Sequence, residues 1–271
     1  MHNILNTKLL ELAKLELIMK ITVIQQDIAW GNPAENVSRL ESLMAGAEKS
    51  DLYVMPEMFT TGFATLPGSS AEHEPAVGLE WMKRKASELD AALAGSICLE
   101  LEDGKCVNRF YFVKPDGDVA VYDKRHLFGY GGEGNKFRAG NDRVVVEFRG
   151  VRFLLAVCYD LRFPVWLRNR KDYDAMIVVA NWPVPRRYAW DTLVRARAIE
   201  NQCYVIAANR VGTDPACVYN GGTALIDPYG APVALARDEE AVAITGELSL
   251  SVLEDFRAKF PVLEDADAFS L

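Results

Sequence analysis

Cys158 stands at the end of the apolar run Phe153-Leu-Leu-Ala-Val157 and directly before Tyr-Asp-Leu-Arg-Phe-Pro164. A cysteine that attacks a substrate needs a base to remove the thiol proton and a fixed positive charge to hold the oxyanion that the attack creates. Glu57, just past Leu52-Tyr-Val-Met55, and Lys124, closing Val119-Ala-Val-Tyr-Asp123, are residues of these two kinds. Asn181, directly after Met176-Ile-Val-Val-Ala180, occupies a similar place. Taken singly, each has a plainer explanation: cysteines pack into cores, and a glutamate or lysine at a strand end is usually solvated. Their combination is more informative than its members. The cysteine–histidine alternative is poorly available, because the three histidines are His2 in the leader, His73 in a polar loop and His126 beside Lys124. Three scattered histidines also argue against a catalytic metal.

The elements that position these residues alternate between strand and helix periods, the pattern of a layered α/β domain. Ile21-Thr-Val-Ile24 reads as a strand, and Val37, Leu40, Leu43, Met44 and Ala47 recur at helical spacing after Asn32-Pro33. Helices are predicted over about Val77–Leu89 and Tyr188–Asn201. Pro115-Asp-Gly-Asp118 predicts a hairpin between Arg109–Val113 and Val119–Tyr122. The glycine-rich stretch 129–142, which contains Glu133, reads as a loop, and Cys158 falls at a strand-to-helix elbow with Pro164 opening the helix. In sheets covered by helices, ligands gather beyond the carboxyl ends of strands, and Glu57, Lys124, Cys158 and Asn181 all lie there. On the later helix, Arg197 is spaced to meet Glu200 and Asn201, a pattern that is usually structural.

The 271 residues, half of them hydrophobic, suffice for one large core. We expect a single domain over 19–271, with 1–18 as a leucine-rich N-terminal extension; its charges Lys8, Glu11, Lys14 and Glu16 do not fit a secretion signal. A formal charge of −8, from 30 Lys and Arg against 38 Asp and Glu, opposes binding to nucleic acid or an anionic membrane and favours a small-molecule substrate. No apolar stretch approaches the roughly 20 residues of a membrane span. Five cysteines, at 98, 106, 158, 203 and 217, contain no Cys-x-x-Cys pair and suggest neither a disulfide framework nor structural zinc, as in a cytoplasmic protein.

Three motifs extend this reading. Val54-Met-Pro-Glu57-Met-Phe59, Tyr122-Asp-Lys124-Arg-His-Leu-Phe128 and Val157-Cys158-Tyr-Asp-Leu-Arg-Phe-Pro164 occur in the order of the glutamate, lysine and cysteine motifs of the nitrilase superfamily of carbon–nitrogen hydrolases, which the chain resembles from about Lys20 to beyond Asp227-Pro-Tyr-Gly230. The resemblance implies a four-layer αββα sandwich, commonly a homodimer, with a Glu–Lys–Cys triad at one end of the sheets and no cofactor. It implies that Glu57 is the general base, that Lys124 and the backbone N–H of Tyr159 hold the oxyanion, and that Glu133 is a second glutamate positioning the lysine or substrate. Gly134 stands where related sequences commonly carry a histidine. Cys158-Tyr-Asp-Leu-Arg-Phe-Pro-Val-Trp166, Asn181-Trp-Pro183 and Arg195-Ala-Arg-Ala-Ile-Glu-Asn201 look most like the omega-amidases, which release ammonia from the side-chain amides of 2-oxoglutaramate and 2-oxosuccinamate. A carboxylate-bearing substrate of that kind wants local positive charge, for which Arg162, Arg186, Arg187 and Arg195 are candidates; Trp182 is a candidate pocket wall. The alternatives are another amidase, an N-carbamoyl hydrolase or a nitrilase using the same triad, a non-catalytic binding domain on the same fold, or a thiol redox protein with Cys203 or Cys217 as partner.

Overall fold

Period-two alternation in the strands divides their side chains between two faces, and this builds the layers. In β1 (Ile18–Gln25), Ile21 and Val23 face one core while Ile24 faces another; in β2 (Leu52–Val54), Leu52 and Val54 oppose Tyr53 in the same way. The computed structural model describes residues 17–65 and 70–270. With β3 (Ala92–Glu100), β4 (Cys106–Val113), β5 (Val119–Asp123) and the late β14 (Val242–Ser249), these strands form a six-stranded sheet in the order β14-β1-β2-β3-β4-β5. Its centre, β1 to β3, is parallel. The second six-stranded sheet runs β13 (Pro232–Leu235), β12 (Ala224–Ile226), β9 (Tyr204–Ala208), β8 (Ala175–Val179), β7 (Val151–Val157), β6 (Val145–Phe148), with β7 to β9 parallel. A short hairpin, β10 (Val211–Thr213) and β11 (Val218–Asn220), stands apart.

The sheets pack face to face. Phe112 of the first meets Phe148 and Phe153 of the second at ring-centroid distances of 5.9 and 5.7 Å. Helices α1 (Pro33–Ala45) and α2 (Val77–Leu89) cover the outside of the first sheet, burying Leu40, Met44, Trp81 and Met82 against Ile24, Tyr53 and Leu93. Asn32 caps α1 through a side-chain hydrogen bond from the Glu35 N–H, with Pro33 in the first turn. Two one-turn helices, α3 (Glu133–Lys136) and α4 (Pro164–Leu167), follow β5 and β7. On the second sheet, α5 (Arg187–Asn201) buries Trp190, Val194 and Ala198, and α6 (Leu250–Lys259) buries Leu253. This is the four-layer α/β sandwich that the motifs imply.

Three boundaries differ from the sequence reading. β4 begins at Cys106, ahead of the predicted Arg109, because the ladder with β3 continues through Asn108, paired with Cys98. The stretch 129–142 is partly ordered into a 3₁₀ turn, Gly129–Gly131, and α3, joined by Gly132 at φ +71°. β1 pairs Ile18 with Ser249, so the sheet starts inside the expected extension; residues 1–16 of that extension lie outside the described residues. Among the described residues no helix is long and apolar enough to cross a membrane.

Candidate active site

β7 ends at Val157, and Cys158 takes φ +48°, a left-handed backbone costing a non-glycine residue on the order of 1–3 kcal/mol. Asp160, two residues on in the 3₁₀ turn Cys158–Arg162, stabilises this elbow. Its buried carboxylate accepts hydrogen bonds from the Val157 N–H (2.9 Å), the Tyr122 hydroxyl (2.7 Å) and the His126 N–H (2.9 Å), with His126 Nδ1 at 2.8 Å. The Cys158 turn is thereby tied to the segments on both sides of Lys124. Arg197, whose spacing on the helix reads as structural, pairs with Glu200 at 2.9 Å and donates to the Leu161 carbonyl at 2.6 and 3.1 Å, holding the turn from behind. Asp160→Asn presents an N–H₂ to a cluster of donors, and we expect it to cost about 2–3 kcal/mol and to lower kcat more than it raises KM; urea unfolding and steady-state kinetics check both.

Behind the elbow three ionisable side chains meet out of solvent. Lys124 Nζ donates to Glu57 Oε1 at 3.0 Å and to Glu133 Oε1 and Oε2 at 3.0 and 2.9 Å. Glu57 is also held across the sheet interface by the Asn181 N–H (2.8 Å to Oε2), while Asn181 Nδ2 donates to the Glu57 carbonyl at 2.7 Å. Glu133 Oε2 accepts from the Phe128 N–H at 2.5 Å. Asn108 Nδ2 lies 2.7 Å from Glu57 Oε1 and 3.4 Å from Glu133 Oε1. Burial by itself lowers the pKa of the Lys124 ammonium, but the charges of Glu133 and Glu57 outweigh it and hold it far above the usual lysine range. Burial raises the Glu133 carboxyl, with Lys124 opposing and Glu57 reinforcing the shift. Burial, then the charge of Glu57, holds the Cys158 thiol well above the ordinary cysteine range, with Lys124 pulling it down. Cys158 is therefore a thiol at neutral pH, near enough to Glu57 and Lys124 for their opposite charges to act on it.

Cys158 lines a pocket of about 190 Å³ together with Tyr159, Arg162 and Trp182, which the sequence proposes. The Arg162 guanidinium lies 4.8 Å from the Trp182 ring centroid, and Trp182 is anchored by its Nε1 donating to the Arg186 carbonyl at 2.8 Å. Tyr159 packs edge-on against Phe128 and Phe163, each at 5.1 Å. Of the four candidate arginines, Arg162 and Arg186 line this pocket, the latter over Phe128 at 5.1 Å. Arg187 is paired with Asp191 and Asp238, and Arg195 donates to the Gly230 carbonyl; neither lines it. The far wall comes from the β10–β11 hairpin through Asp214, Cys217 and Tyr219. Cys203 is buried against the Arg197 carbonyl, and all five cysteines are free thiols.

A thiol, a carboxylate whose charge acts on it and a buried cation bonded to that carboxylate are the components for nucleophilic attack on a polarised carbonyl carbon with proton transfer. Among the described residues no group of three or more His, Cys, Asp or Glu is placed to hold a metal ion. Sequence reasoning missed Asn108 and Asp160. A polar residue inside the buried run Cys106–Val113 was the available signal for the first; for Asp160 it was an acid two residues after Cys158 in the cysteine motif. The hairpin wall carried no signal.

Residues 20–258 match the Carbon-nitrogen hydrolase family. The omega-amidase YafV of Escherichia coli (strain K12) is 47% identical over 254 residues, covering 93% of this chain and 98% of the relative. The 2-oxoglutaramate amidase of Bacillus subtilis (strain 168) is 33% identical over 252 residues, covering 90% and 96%. Among solved structures, the CN-hydrolase superfamily protein XC1258 from Xanthomonas campestris, which carries an arsenic adduct in its active site, superposes with a TM-score of 0.89 at 41% identity, covering 94% of this chain and 99% of that one.

Proposed function

Because the chain belongs to the carbon–nitrogen hydrolase family, we propose that it is an omega-amidase that hydrolyses the terminal amide of a short 2-oxo acid, such as 2-oxoglutaramate or 2-oxosuccinamate, to ammonia and the dicarboxylate. The observation that carries the reading is a Cys158 thiol under the charges of the buried, mutually bonded pair Glu57 and Lys124, in a pocket that Arg162 and Arg186 also line. Glu57 takes the thiol proton as the sulfur attacks the amide carbon. The resulting oxyanion accepts hydrogen bonds from Lys124 and the Tyr159 N–H, and Glu133 keeps Lys124 charged and in place. Collapse of the tetrahedral intermediate breaks the carbon–nitrogen bond, ammonia leaves with the proton held by Glu57, and a thioester remains on Cys158. Water, deprotonated by Glu57, then attacks the thioester and regenerates the thiol. Each proton that Glu57 takes is delivered within the same half-reaction, to ammonia in the first and to the Cys158 sulfur in the second, so the cycle needs no cofactor.

The substrate's carboxylate is assigned to Arg162 and Arg186, which give the pocket positive charge on a protein whose formal charge is −8. Trp182 and Phe128 hold the two guanidinium planes. A single cytoplasmic domain over 19–271 fits five free thiols, and the exposed Val165, Tyr188 and Ile199 offer apolar surface for a homodimer. The test is ammonia release from 2-oxoglutaramate, 2-oxosuccinamate, glutamine, asparagine, a simple nitrile and an N-carbamoyl amino acid. Activity confined to the two oxo-acid amides is expected; equal turnover of the nitrile or the N-carbamoyl compound defeats the substrate assignment. Arg162→Met and Arg186→Met are each expected to raise KM for 2-oxoglutaramate by about 10- to 100-fold, the worth of a charged hydrogen bond, with a much smaller effect on a neutral aliphatic amide.

A further inference from the structure

We propose that Asn108 is a positioning residue of this reaction: a neutral donor that takes over the carboxylate oxygens Lys124 must leave when it turns to the oxyanion. The proposal rests on the roles given above to Cys158, Glu57 and Lys124.

In the resting site all three N–H bonds of Lys124 point at carboxylates, one at Glu57 Oε1 and two at the Glu133 oxygens. To stabilise an oxyanion the lysine has to give up one of these. Glu57 Oε2 keeps the Asn181 N–H and Glu133 Oε2 keeps the Phe128 N–H, so those two oxygens remain paired. Glu57 Oε1 and Glu133 Oε1 are different. Among the described residues, the sole donors to them are Lys124 and the Asn108 amide, at 2.7 and 3.4 Å. One amide nitrogen carries two hydrogens, enough for one on each oxygen.

Two further features fit this role. Asn108 is fully buried, and its Oδ1 has no hydrogen-bond partner among the described residues, although a buried acceptor left alone is costly. The opposite orientation of the amide would set Oδ1 against two carboxylates that can only accept, so the network uses the residue for its donors. The Asn108 carbonyl also accepts the Lys124 backbone N–H at 3.0 Å, so a single residue of β4 registers the lysine and both glutamates. Among the described residues, the charged or titratable groups that interact with the carboxylate pair are Lys124, Cys158 and, beside Glu133, Cys98 of β3, opposite Asn108 in the ladder.

Without the amide, turning Lys124 leaves a buried carboxylate oxygen with no donor, and the pair takes up a proton more readily. The experiment compares Asn108→Leu, nearly isosteric and without a donor, with Asn108→Ser, whose hydroxyl can donate directly or through a water. Ammonia release from 2-oxoglutaramate is followed from pH 5.5 to 9, beside thermal unfolding. For Asn108→Leu we expect kcat to fall by about 10- to 100-fold with KM changed less than about twofold, and the acid limb of the kcat profile to move up by about one pH unit. Asn108→Ser recovers part of both. An unmoved acid limb, or a pH-independent loss in which the serine variant is no better than the leucine, assigns Asn108 to packing and overturns the proposal. If Asn108→Leu does not fold, the acid limb of Asn108→Ser decides by the same criterion. Activity retained by Cys158→Ala is a separate outcome, which overturns the catalytic reading itself.

Discussion

Cys158→Ala is expected to abolish ammonia release, lowering kcat by at least about 10⁴-fold, as removal of a covalent nucleophile does when its partners act only through it. Glu57 and Lys124 remain in the variant, but neither can form the acyl intermediate. The fold should survive: alanine fits wherever cysteine does, the left-handed backbone at 158 is no worse for it, and Asp160 still ties the elbow to Tyr122 and His126. An unchanged melting temperature with lost activity is therefore the expected pair of results. In the wild type, mass spectrometry of acid-quenched enzyme during turnover should find the acyl group on the peptide containing Cys158. The raised thiol pKa adds a pH test. A thiol held above the ordinary cysteine range is protonated at neutral pH, so under the proposed mechanism turnover at pH 7 is expected to depend on Glu57 rather than on free thiolate. Glu57→Gln should then lose most activity at pH 7 while alkylation of Cys158 by iodoacetamide still quickens as the pH rises above 9. A Glu57→Gln enzyme with near-normal kcat at pH 7 would contradict the base assignment.

The second large effect is expected from Lys124→Met, and it combines catalysis with stability. Loss of an oxyanion donor costs about 10²- to 10³-fold in kcat. Removing the cation also strands Glu57 and Glu133 together in a buried site, and breaking a buried ion pair from one side costs about 3–5 kcal/mol. The sign of the pH dependence follows from the carboxylates. In the variant Glu133, which burial already raises, loses the cation that opposes the rise, so its protonated form is favoured in the native state. The penalty is absent below the unfolded carboxylate range and grows as pH rises through it. The melting temperature of Lys124→Met should thus approach that of the wild type near pH 4 and fall progressively below it toward pH 8. A gap independent of pH would show that Lys124 contributes packing rather than charge. Lys124→Arg is not a rescue, since a planar guanidinium cannot reproduce three donors from one nitrogen to two carboxylates.

Residue type and strand-end position marked the proposed nucleophile, base and cation, and the fold brings the three to one place. Glu57, Lys124 and Cys158 each follow a short apolar run, and an apolar run ending in a reactive side chain can be read locally. Asn108 and Asp160 could not be read in the same way. Both are short polar residues, Asn108 inside a buried strand and Asp160 in the turn that follows one, and what each does depends on partners 25 to 51 and 34 to 38 positions away. The four arginines show the same limit. Asp191, four residues along the helix, is a visible partner for Arg187, but Asp238 and the Gly230 carbonyl become partners of Arg187 and Arg195 only when β12 and β13 fold against α5.

By itself, then, the chain's sequence determined the layered α/β class, the strand and helix periods, and the three side chains able to do chemistry, because each is a property of a local segment: which face is apolar, where it ends, and what stands there. Tertiary structure decided the rest. It brought the two sheets face to face so that the Asn181 N–H reaches Glu57, stacked Arg162 and Arg186 on the pocket's aromatic rings, and withdrew Arg187 and Arg195 into pairs elsewhere. It also buried Lys124 between two glutamates, and burial is what gives these charges their strength: a lysine and a glutamate in water attract weakly, whereas out of solvent they set each other's protonation and that of Cys158.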